Sequence, residues 1–249
     1  MKSKLIGSSV ITLNKINSTN TYANQLSMEE KLVSGTVILA RNQTDGKGQH
    51  GNKWESQEGK NLTFSILLFP EKLQADHQFM LSKAISLGII EYLKSMAEGF
   101  SIKWPNDIYY KDRKIAGILI ENSVQGNLLS ESIVGIGLNV NQEYFSKEVR
   151  NPVSLKTITG KHFVIADELD KLLQSLDIYC QKLFAMKYNE INPAYMANLY
   201  RYNEFFDFIS SDRKFKGKII GVSDYGHLQI ELSNGKIKVF DYKEVEYVI

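Results

Sequence analysis

The chain has 249 residues, which is enough for one large folded unit and a smaller one. Hydrophobic residues make up 43% of it and charged residues 23%, a composition that excludes a disordered or fibrous protein. A net charge of +2 provides no broad electrostatic surface for nucleic acid or for an anionic membrane, so we expect neither as a partner.

Targeting and redox signals are weak. The apolar runs are far shorter than a membrane span of roughly 20 residues, and the N-terminus lacks a long apolar signal core. We therefore expect a cytoplasmic protein. The single cysteine, Cys180, excludes an intrachain disulfide and stands in a helical pattern of leucines. It is expected to be a small buried hydrophobe, because no catalytic motif surrounds it.

The first hundred residues predict strands alternating with helices. Short β-branched runs at 10–13 and 36–40 predict strands, and apolar residues at helical spacing predict a helix over 19–32. A further strand is predicted at 61–69, followed by a largely buried helix at 76–96. These elements indicate a sheet with helices packed against it.

The middle of the chain extends the same unit. Alternation and β-branched content favour a mixed or antiparallel sheet, and two more helices complete an α+β unit. The predicted strands are 101–104, 114–121 and 132–140, and the predicted helices are 167–188 and 193–202.

The sequence pattern changes from about Asp207, where short predicted strands alternate with turns. Asn234 and Gly235 form a strong hairpin signal, because both residues accept the positive φ of a tight turn. These roughly forty residues predict a small β-barrel, which is too small to be a catalytic unit alone. We therefore divide the chain into a catalytic domain, 1–206, and a C-terminal barrel domain, 207–249.

A polar, glycine-bearing loop over residues 42–60 is long enough to indicate a functional loop. Residues 46–51 match the dinucleotide fingerprint GxGxxG, but the segment behind them is polar and turn-like instead of an apolar helix. Two alternatives remain open. One is a mobile surface loop, and the other is a loop whose backbone N–H groups and Lys47 approach an anion.

The segment KWPND, residues 103–107, presents an amide and a carboxylate after a strand that ends at a proline. Taken alone it is more often a plain turn. Seven residues later Lys114 introduces a second apolar run, so its ammonium can lie beside Asp107 across a hairpin. A lysine held there is suited to binding phosphate or a developing negative charge.

The run VGIGLNVN is expected to place Gly135, Gly137 and Asn139 in a strand. Glycines weaken a strand unless a ligand or another backbone must come close, although a bulge is an equal alternative. Taken with the glycine loop and the two lysines, these residues indicate a pocket for a negatively charged, nucleotide-like ligand.

Four blocks in this order resemble the biotin–protein ligases over essentially the whole chain. They are Ser18-Thr19-Asn20, the loop 43–54, KWPND with its continuation RKIAGILIE, and GIGLNVN at 135–141. The resemblance implies a class II synthetase-like fold, in which a mixed, largely antiparallel sheet has flanking helices and a small SH3-like β-barrel follows. It also implies the activity of a biotin–[acetyl-CoA-carboxylase] ligase.

The resemblance assigns roles to individual residues. The implied biotin-binding residues are Ser18, Thr19, Asn20, Gln43, Gly46, Lys47, Gly48, Gln49, Lys114 and Gly117. The implied ATP-binding residues are Lys47, Trp54, Lys103, Asn106, Asp107, Lys114 and Asn139. Lys114 would stabilise charge as an acyl-adenylate forms, and Asp107 would orient or deprotonate the attacking amine. The sequence assigns no metal ligands.

The implied chemistry uses ATP and Mg²⁺ to convert biotin to biotinyl-5'-AMP, and then transfers biotin to a lysine of a biotin carboxyl carrier domain. Because the chain starts in the catalytic region, we expect the type of ligase without an N-terminal DNA-binding domain. We also expect a monomer or weak homodimer. The family's loop is commonly arginine-rich, whereas this one carries Lys47, Gln49, His50 and Asn52. Two alternatives are a lipoate–protein ligase on the same scaffold and a non-catalytic biotin-binding regulator.

Overall fold

The computed structural model describes residues 4–29 and 31–249, and a seven-stranded mixed sheet lies at its centre. Its strands are β1 (Val10–Ile16), β2 (Thr36–Gln43), β3 (Leu62–Leu68), β4 (Phe100–Lys103), β5 (Asp107–Tyr110), β6 (Arg113–Gln125) and β7 (Leu128–Leu138). They are ordered β1-β2-β3-β7-β6-β5-β4. The β1–β2 pair is parallel and the remaining pairs are antiparallel, which confirms the predicted mixed, largely antiparallel sheet.

Five helices flank this sheet in the described residues. They are α1 (Thr19–Glu29), α2 (Phe79–Lys94), α3 (Leu155–Thr159), α4 (Ile165–Phe184) and α5 (Tyr188–Ala197). Helix α2 is buried along almost its whole length because it lies between the sheet and α4. The leucines of α4 and Cys180 face it and are buried, which confirms the expected burial of the cysteine. None of the helices in these ranges is both long enough and apolar enough to span a membrane.

The two faces of the sheet carry different side chains, because neighbouring residues of a strand point to opposite sides. On β3, Phe64 and Ile66 join the large core under α2, whereas Leu67 packs with Ala23 of α1 on the other face. Ser65 shares the α1 face with Leu67. The α1 face is therefore the side on which β3 carries its buried polar side chains, Thr63 and Ser65.

The C-terminal residues form a second sheet of five antiparallel strands. The strands are β8 (Phe205–Ser210), β9 (Arg213–Val222), β10 (Leu228–Leu232), β11 (Ile237–Phe240) and β12 (Glu246–Tyr247), in the order β11-β10-β9-β8-β12. The predicted small SH3-like unit is this five-stranded antiparallel sheet, and it is not a closed barrel. In the described residues β11 and β12 are the two edges and do not pair with each other, and closure requires a hydrogen-bonded ladder between edges. The predicted hairpin is confirmed, with Gly235 at φ 79° between β10 and β11.

Several element boundaries differ from the sequence-based expectation, and two of them concern a proline and a predicted site residue. Helix α5 contains Pro193 within its length instead of starting at it. Burial of Ile191 and Tyr195 on either side of the proline holds this short helix against the core. Strand β7 ends at Leu138, so Asn139 lies just beyond the strand in which it was expected.

Close contact between α2 and α4 yields a stability prediction. A Cβ at Gly88 would lie 2.9 Å from Leu176 Cα, so alanine forces the two helix backbones apart. Gly→Ala in a helix ordinarily stabilises by about 1 kcal/mol. We expect Gly88→Ala to lower the free energy of unfolding by about 1–3 kcal/mol instead, measured by urea denaturation. Lys94→Ala, at the exposed end of α2, is the control and should change it by less than about 1 kcal/mol.

Candidate active site

A cleft on the α1 face of the sheet has a floor of small residues. Gly117 of β6 pairs directly with Gly137 of β7, and Gly137 pairs with Thr63 of β3. One row along, Gly135 pairs with Ser65. Because the central strands carry no bulky side chains here, other groups can approach the sheet backbone closely.

The indole of Trp54 lies directly on this floor. A Cβ at Gly137 would be 2.2 Å from Trp54 Cε2, and a Cβ at Gly117 would be 3.1 Å from Trp54 Cζ3. Any larger residue at 137 would therefore displace the ring. This is the physical reason for the strand glycines, and it decides between the two interpretations of GIGLNVN in favour of close approach.

The glycine loop is a short hairpin that carries Trp54. The Gly48 N–H donates to Asn52 O at 2.7 Å, the Trp54 N–H donates to Gly46 O at 2.8 Å, and a 3₁₀ turn, Gln49–Gly51, closes the tip. Among the described residues, Trp54 Nε1 and Gln49 Oε1 are buried without a hydrogen-bond partner. Such groups are rare unless they meet a ligand or water, so this side of the cleft is suited to a polar ligand.

A buried amide network fixes the C-terminal end of this loop. Gln142, which is fully buried, accepts from Asn61 Nδ2 at 2.6 Å and from the Gln57 N–H at 3.0 Å, and it donates to Glu55 Oε1 at 3.1 Å. Asn61 Oδ1 in turn accepts from the Val140 N–H. The loop is thereby anchored just after Trp54 to the chain beyond β7.

One end of the cleft is lined by neutral hydrogen-bonding groups. Ser18, Thr19 and Asn20 are buried at the start of α1. The Thr19 N–H donates to Gln43 Oε1 at 2.8 Å, and Ser65 Oγ lies 2.7 Å from Thr19 Oγ1 and 2.6 Å from Asn20 Oδ1. The parallel pairing of β1 and β2 brings the end of β2, with Gln43, beside the helix start. These groups suit an uncharged polar ligand.

The charged part of the cleft is an ion pair. Lys114 Nζ lies 2.6 Å from Asp107 Oδ1 across the β5–β6 hairpin, as predicted, and the two side chains are only 29% and 17% exposed. Lys114 Nζ also lies 5.7 Å from the Trp54 ring centroid. The ammonium is therefore held between a carboxylate and an aromatic face, where partial burial strengthens its attraction for an anion.

The C-terminal sheet region contributes Tyr242, which the sequence analysis missed. Tyr242 lines the cleft, and its hydroxyl donates to Asn106 Oδ1 at 3.1 Å. Burial, with the nearby charge of Asp107, raises the pKa of Tyr242. Asn106 Nδ2 donates to Ile118 O, so the amide oxygen is free to accept. An isolated tyrosine after a short strand carries no sequence signal that could have identified it.

Most of the predicted site residues come together in this cleft. Those that line it are Ser18, Thr19, Asn20, Gln43, Lys47, Gly48, Gln49, Trp54, Asn106, Asp107, Lys114 and Gly117. Further lining residues that were not predicted as site residues include Asn52, Lys53, Gly135 and Gly137.

Three predicted residues lie outside the cleft lining. Gly46 supports the hairpin through its carbonyl. Asn139 is buried and donates to Val153 O at 3.1 Å. Lys103 lies with Nζ 4.6 Å from the Tyr247 ring centroid, and burial lowers its pKa. Their assignments as ligand-binding residues stay predictions.

Residues 13–139 match the model of the biotin/lipoate A/B protein ligase family, which is half of the chain. The chain belongs to this family. The biotin–[acetyl-CoA-carboxylase] ligase of Paracoccus denitrificans is 30% identical over 217 residues, covering 84% of this chain and 89% of that protein. The bifunctional ligase/repressor BirA of Salmonella typhimurium is 30% identical over 246 residues, covering 95% and 73%.

A solved structure agrees with this membership. The biotin protein ligase from Aquifex aeolicus, in complex with biotin and ATP, superposes with a TM-score of 0.80 and 31% identity, covering 97% of this chain and all of that one. The likeness therefore extends from the cleft to the C-terminal sheet. Within the described ranges, the ligase chain has no group of three or more His, Cys, Asp or Glu side chains placed to hold a metal ion.

Contact between Trp54 and the strand glycines predicts the effect of a single methyl group. Gly137→Ala should push the indole off the floor, because the new Cβ would overlap it. We expect greater acrylamide quenching of tryptophan fluorescence than in the wild type, since the other tryptophan, Trp104, is buried. Ser123→Ala, at an exposed position of the same β6–β7 hairpin, is the control. Unchanged quenching in Gly137→Ala would contradict the contact.

Proposed function

We propose that this chain activates biotin with ATP and transfers it to a lysine of a biotin carboxyl carrier domain, as a biotin–[acetyl-CoA-carboxylase] ligase. The observation that carries the proposal is the cleft itself. It joins a neutral, amide-lined end to the Lys114–Asp107 ion pair over a floor of glycines. A ligand with an uncharged polar ring at one end and a carboxylate at the other matches this arrangement.

Biotin would lie with its ureido ring among the neutral groups. Ser18, Thr19, Asn20 and Gln43 supply hydroxyls and amides that can hydrogen-bond a cyclic urea without competing charge. The acyl chain would then run towards Lys114 under the hairpin of residues 46–54. The solved Aquifex aeolicus relative, which is a complex with biotin and ATP, supports these two molecules as the ligands.

The first step joins the two substrates. A biotin carboxylate oxygen attacks the ATP α-phosphorus, the bond from that phosphorus to the bridging oxygen breaks, and pyrophosphate leaves. Lys114 would hold the carboxylate close to the α-phosphate and stabilise the negative charge that builds on it, because a partly buried cation acts strongly at this range. Lys47 and Lys53, at the paired positions of the hairpin, add positive charge above the cleft.

The second step releases AMP. The carrier lysine amine attacks the acyl carbon of biotinyl-5'-AMP, and the bond from that carbon to the phosphate oxygen breaks. Asp107 would orient the amine or accept its proton, because its carboxylate lines the cleft at the reacting end. Trp54, Asn106 and Lys114 would contact the nucleotide. Lys103 and Asn139 would contribute to ATP binding from positions outside the cleft lining.

Mg²⁺ would accompany the ATP phosphates. It is usually held by one or two carboxylates, phosphates and water, and Asp107 is the carboxylate of the cleft lining. The donor set of the cleft therefore fits an ion that is bound mainly by the nucleotide. When bound, Mg²⁺ would neutralise charge on the leaving pyrophosphate.

Residues 1–206 would form the catalytic domain, and 207–249 would form a domain that closes the cleft at Tyr242. We propose that the protein acts in the cytoplasm as a monomer or weak homodimer.

The assay that tests the function uses labelled biotin and labelled lipoate with the matching carrier domains and ATP. Biotin transfer that depends on ATP is the expected result. Transfer of lipoate alone would assign the chain to the lipoate branch of the family, and biotin binding without either transfer would indicate a non-catalytic regulator.

The role of Lys114 predicts a specific loss. Lys114→Ala should reduce biotin-dependent pyrophosphate release by about 100-fold or more, because it removes the cation from the reacting end. Arg113→Ala is the matched control, since Arg113 is exposed and points to the other face of the same strand. Equal rates for wild type and Lys114→Ala would remove Lys114 from the mechanism.

The loop predicts a change in proteolysis. Residues 43–60 are rich in glycine and have few apolar anchors before Trp54, so we expect the empty loop to be cut readily. Saturating biotin and ATP should slow cleavage within the loop, while cleavage at the exposed hairpin tip Gln125–Gly126 serves as the internal control. Equal cleavage rates with and without ligands would argue against closure of the loop.

A further inference from the structure

Glu121 lies beside the neutral end of the cleft, outside its lining, and contacts Asn20. The Asn20 side chain is 3% exposed, and its Nδ2 lies 2.7 Å from Glu121 Oε2 and 3.3 Å from Leu119 O. Both amide hydrogens of Asn20 are therefore directed at oxygen atoms of β6. The amide oxygen is directed the other way, towards Ser65 Oγ at 2.6 Å.

The opposite orientation of the Asn20 amide is strongly disfavoured. Rotating the amide by 180° would place its oxygen against the Glu121 carboxylate and the Leu119 carbonyl, which are both acceptors. Ser65 does not discriminate between the two orientations, because a hydroxyl can donate or accept. The carboxylate of Glu121, assisted by one carbonyl, is the group that sets the orientation.

The position of the amide is fixed as well. A Cβ at Gly135 would lie 2.3 Å from Asn20 Oδ1, so the strand glycine provides the space that this oxygen occupies. With both hydrogens used by β6 and Ser65 donating to the oxygen, Asn20 has only an acceptor lone pair left for a ligand. Gln43 is the complement, because its Oε1 already accepts from the Thr19 N–H and its NH₂ group remains to donate.

We propose that Glu121 is a positioning residue for substrate selection, which rests on the function proposed above. By holding the Asn20 amide in one orientation, it makes Asn20 an acceptor that selects a ligand N–H, while Gln43 supplies a donor for a ligand carbonyl. A cyclic urea offers this combination of N–H and C=O. A ring with oxygen in place of the N–H would set two acceptors against each other.

The first experiment compares Glu121→Gln with Glu121→Met. The glutamine variant can still accept from Asn20 Nδ2, but its amide can also donate to a rotated Asn20, so we expect its KM for biotin to lie between those of the wild type and the methionine variant. The methionine variant lacks the acceptor and should show a KM about 10-fold higher than wild type. The kcat should change little in either variant, because Glu121 does not touch the reacting end. Equal melting temperatures would show that the fold is intact. The inference fails if KM is unchanged in Glu121→Met, or if Glu121→Gln raises KM more than Glu121→Met does.

A specificity measurement separates orientation from general damage. The probes are cyclic carbamate analogues of biotin, in which one ring N–H or the other is replaced by oxygen. The wild type should prefer biotin over one of these analogues by about 100-fold, and Glu121→Met should reduce this preference at least 10-fold because its Asn20 amide can rotate. An unchanged preference in Glu121→Met would overturn the role of Glu121.

A reciprocal pair of variants provides a third test. Asn20→Asp places two carboxylates together and should weaken biotin binding severely. Adding Glu121→Gln supplies an amide donor to the new carboxylate at position 20 and should recover part of the affinity, while absence of recovery counts against the inference. If the wild type itself shows no biotin-dependent pyrophosphate release, the proposed function fails and this inference fails with it. If the wild type is active and the Glu121 variants have the same KM and analogue preference, this inference is overturned while the proposed function stands.

Discussion

Two glycines facing each other across neighbouring strands are the constraint on which the cleft depends. Gly117 and Gly137 pair in register at the centre of the large sheet, and the space left by their missing side chains is filled by Trp54. Each glycine costs roughly 0.5–1 kcal/mol of strand stability relative to alanine. The opposite face compensates, because Ile118 and Ile136 on the same two strands are buried in the core under α2.

Charge is confined to one end of this floor, and the strands determine which end. The β5–β6 hairpin places Lys114 against Asp107, so the cation is prepaired before any anion arrives. A ligand carboxylate or phosphate can share this lysine without the cost of ordering a free side chain. At the other end, Glu121 lies outside the lining and the amides of Asn20 and Gln43 present neutral groups to the cleft, so a charged ligand group there would be desolvated without a partner.

Local patterns in the sequence predicted most of the helices and strands, because burial of one face of an element imposes a regular spacing of apolar residues along the chain. The apolar spacing of α2 and α4 and the pairing of Lys114 with Asp107 depend on contacts within one helix or one hairpin. The correct neighbours of Ser65 and Glu121 depend instead on how distant strands pair, which no local pattern specifies. The open C-terminal sheet is of the same kind, because its edge strands β11 and β12 follow each other in the chain yet lie at opposite ends of the strand order, which tertiary pairing determines.

Tyr242 shows how the second sheet can influence the first without contributing a charged group. Its ring packs 6.0 Å from that of Trp104, whose indole N–H donates to Gly226 O at 2.7 Å, while its hydroxyl holds Asn106. The turn that carries Asp107 is thus tied to the C-terminal residues at two points. Movement of the second sheet would therefore be transmitted to Asn106 and to the carboxylate beside it. The small size of that sheet does not limit its influence, because its contact lies at the charged end of the cleft.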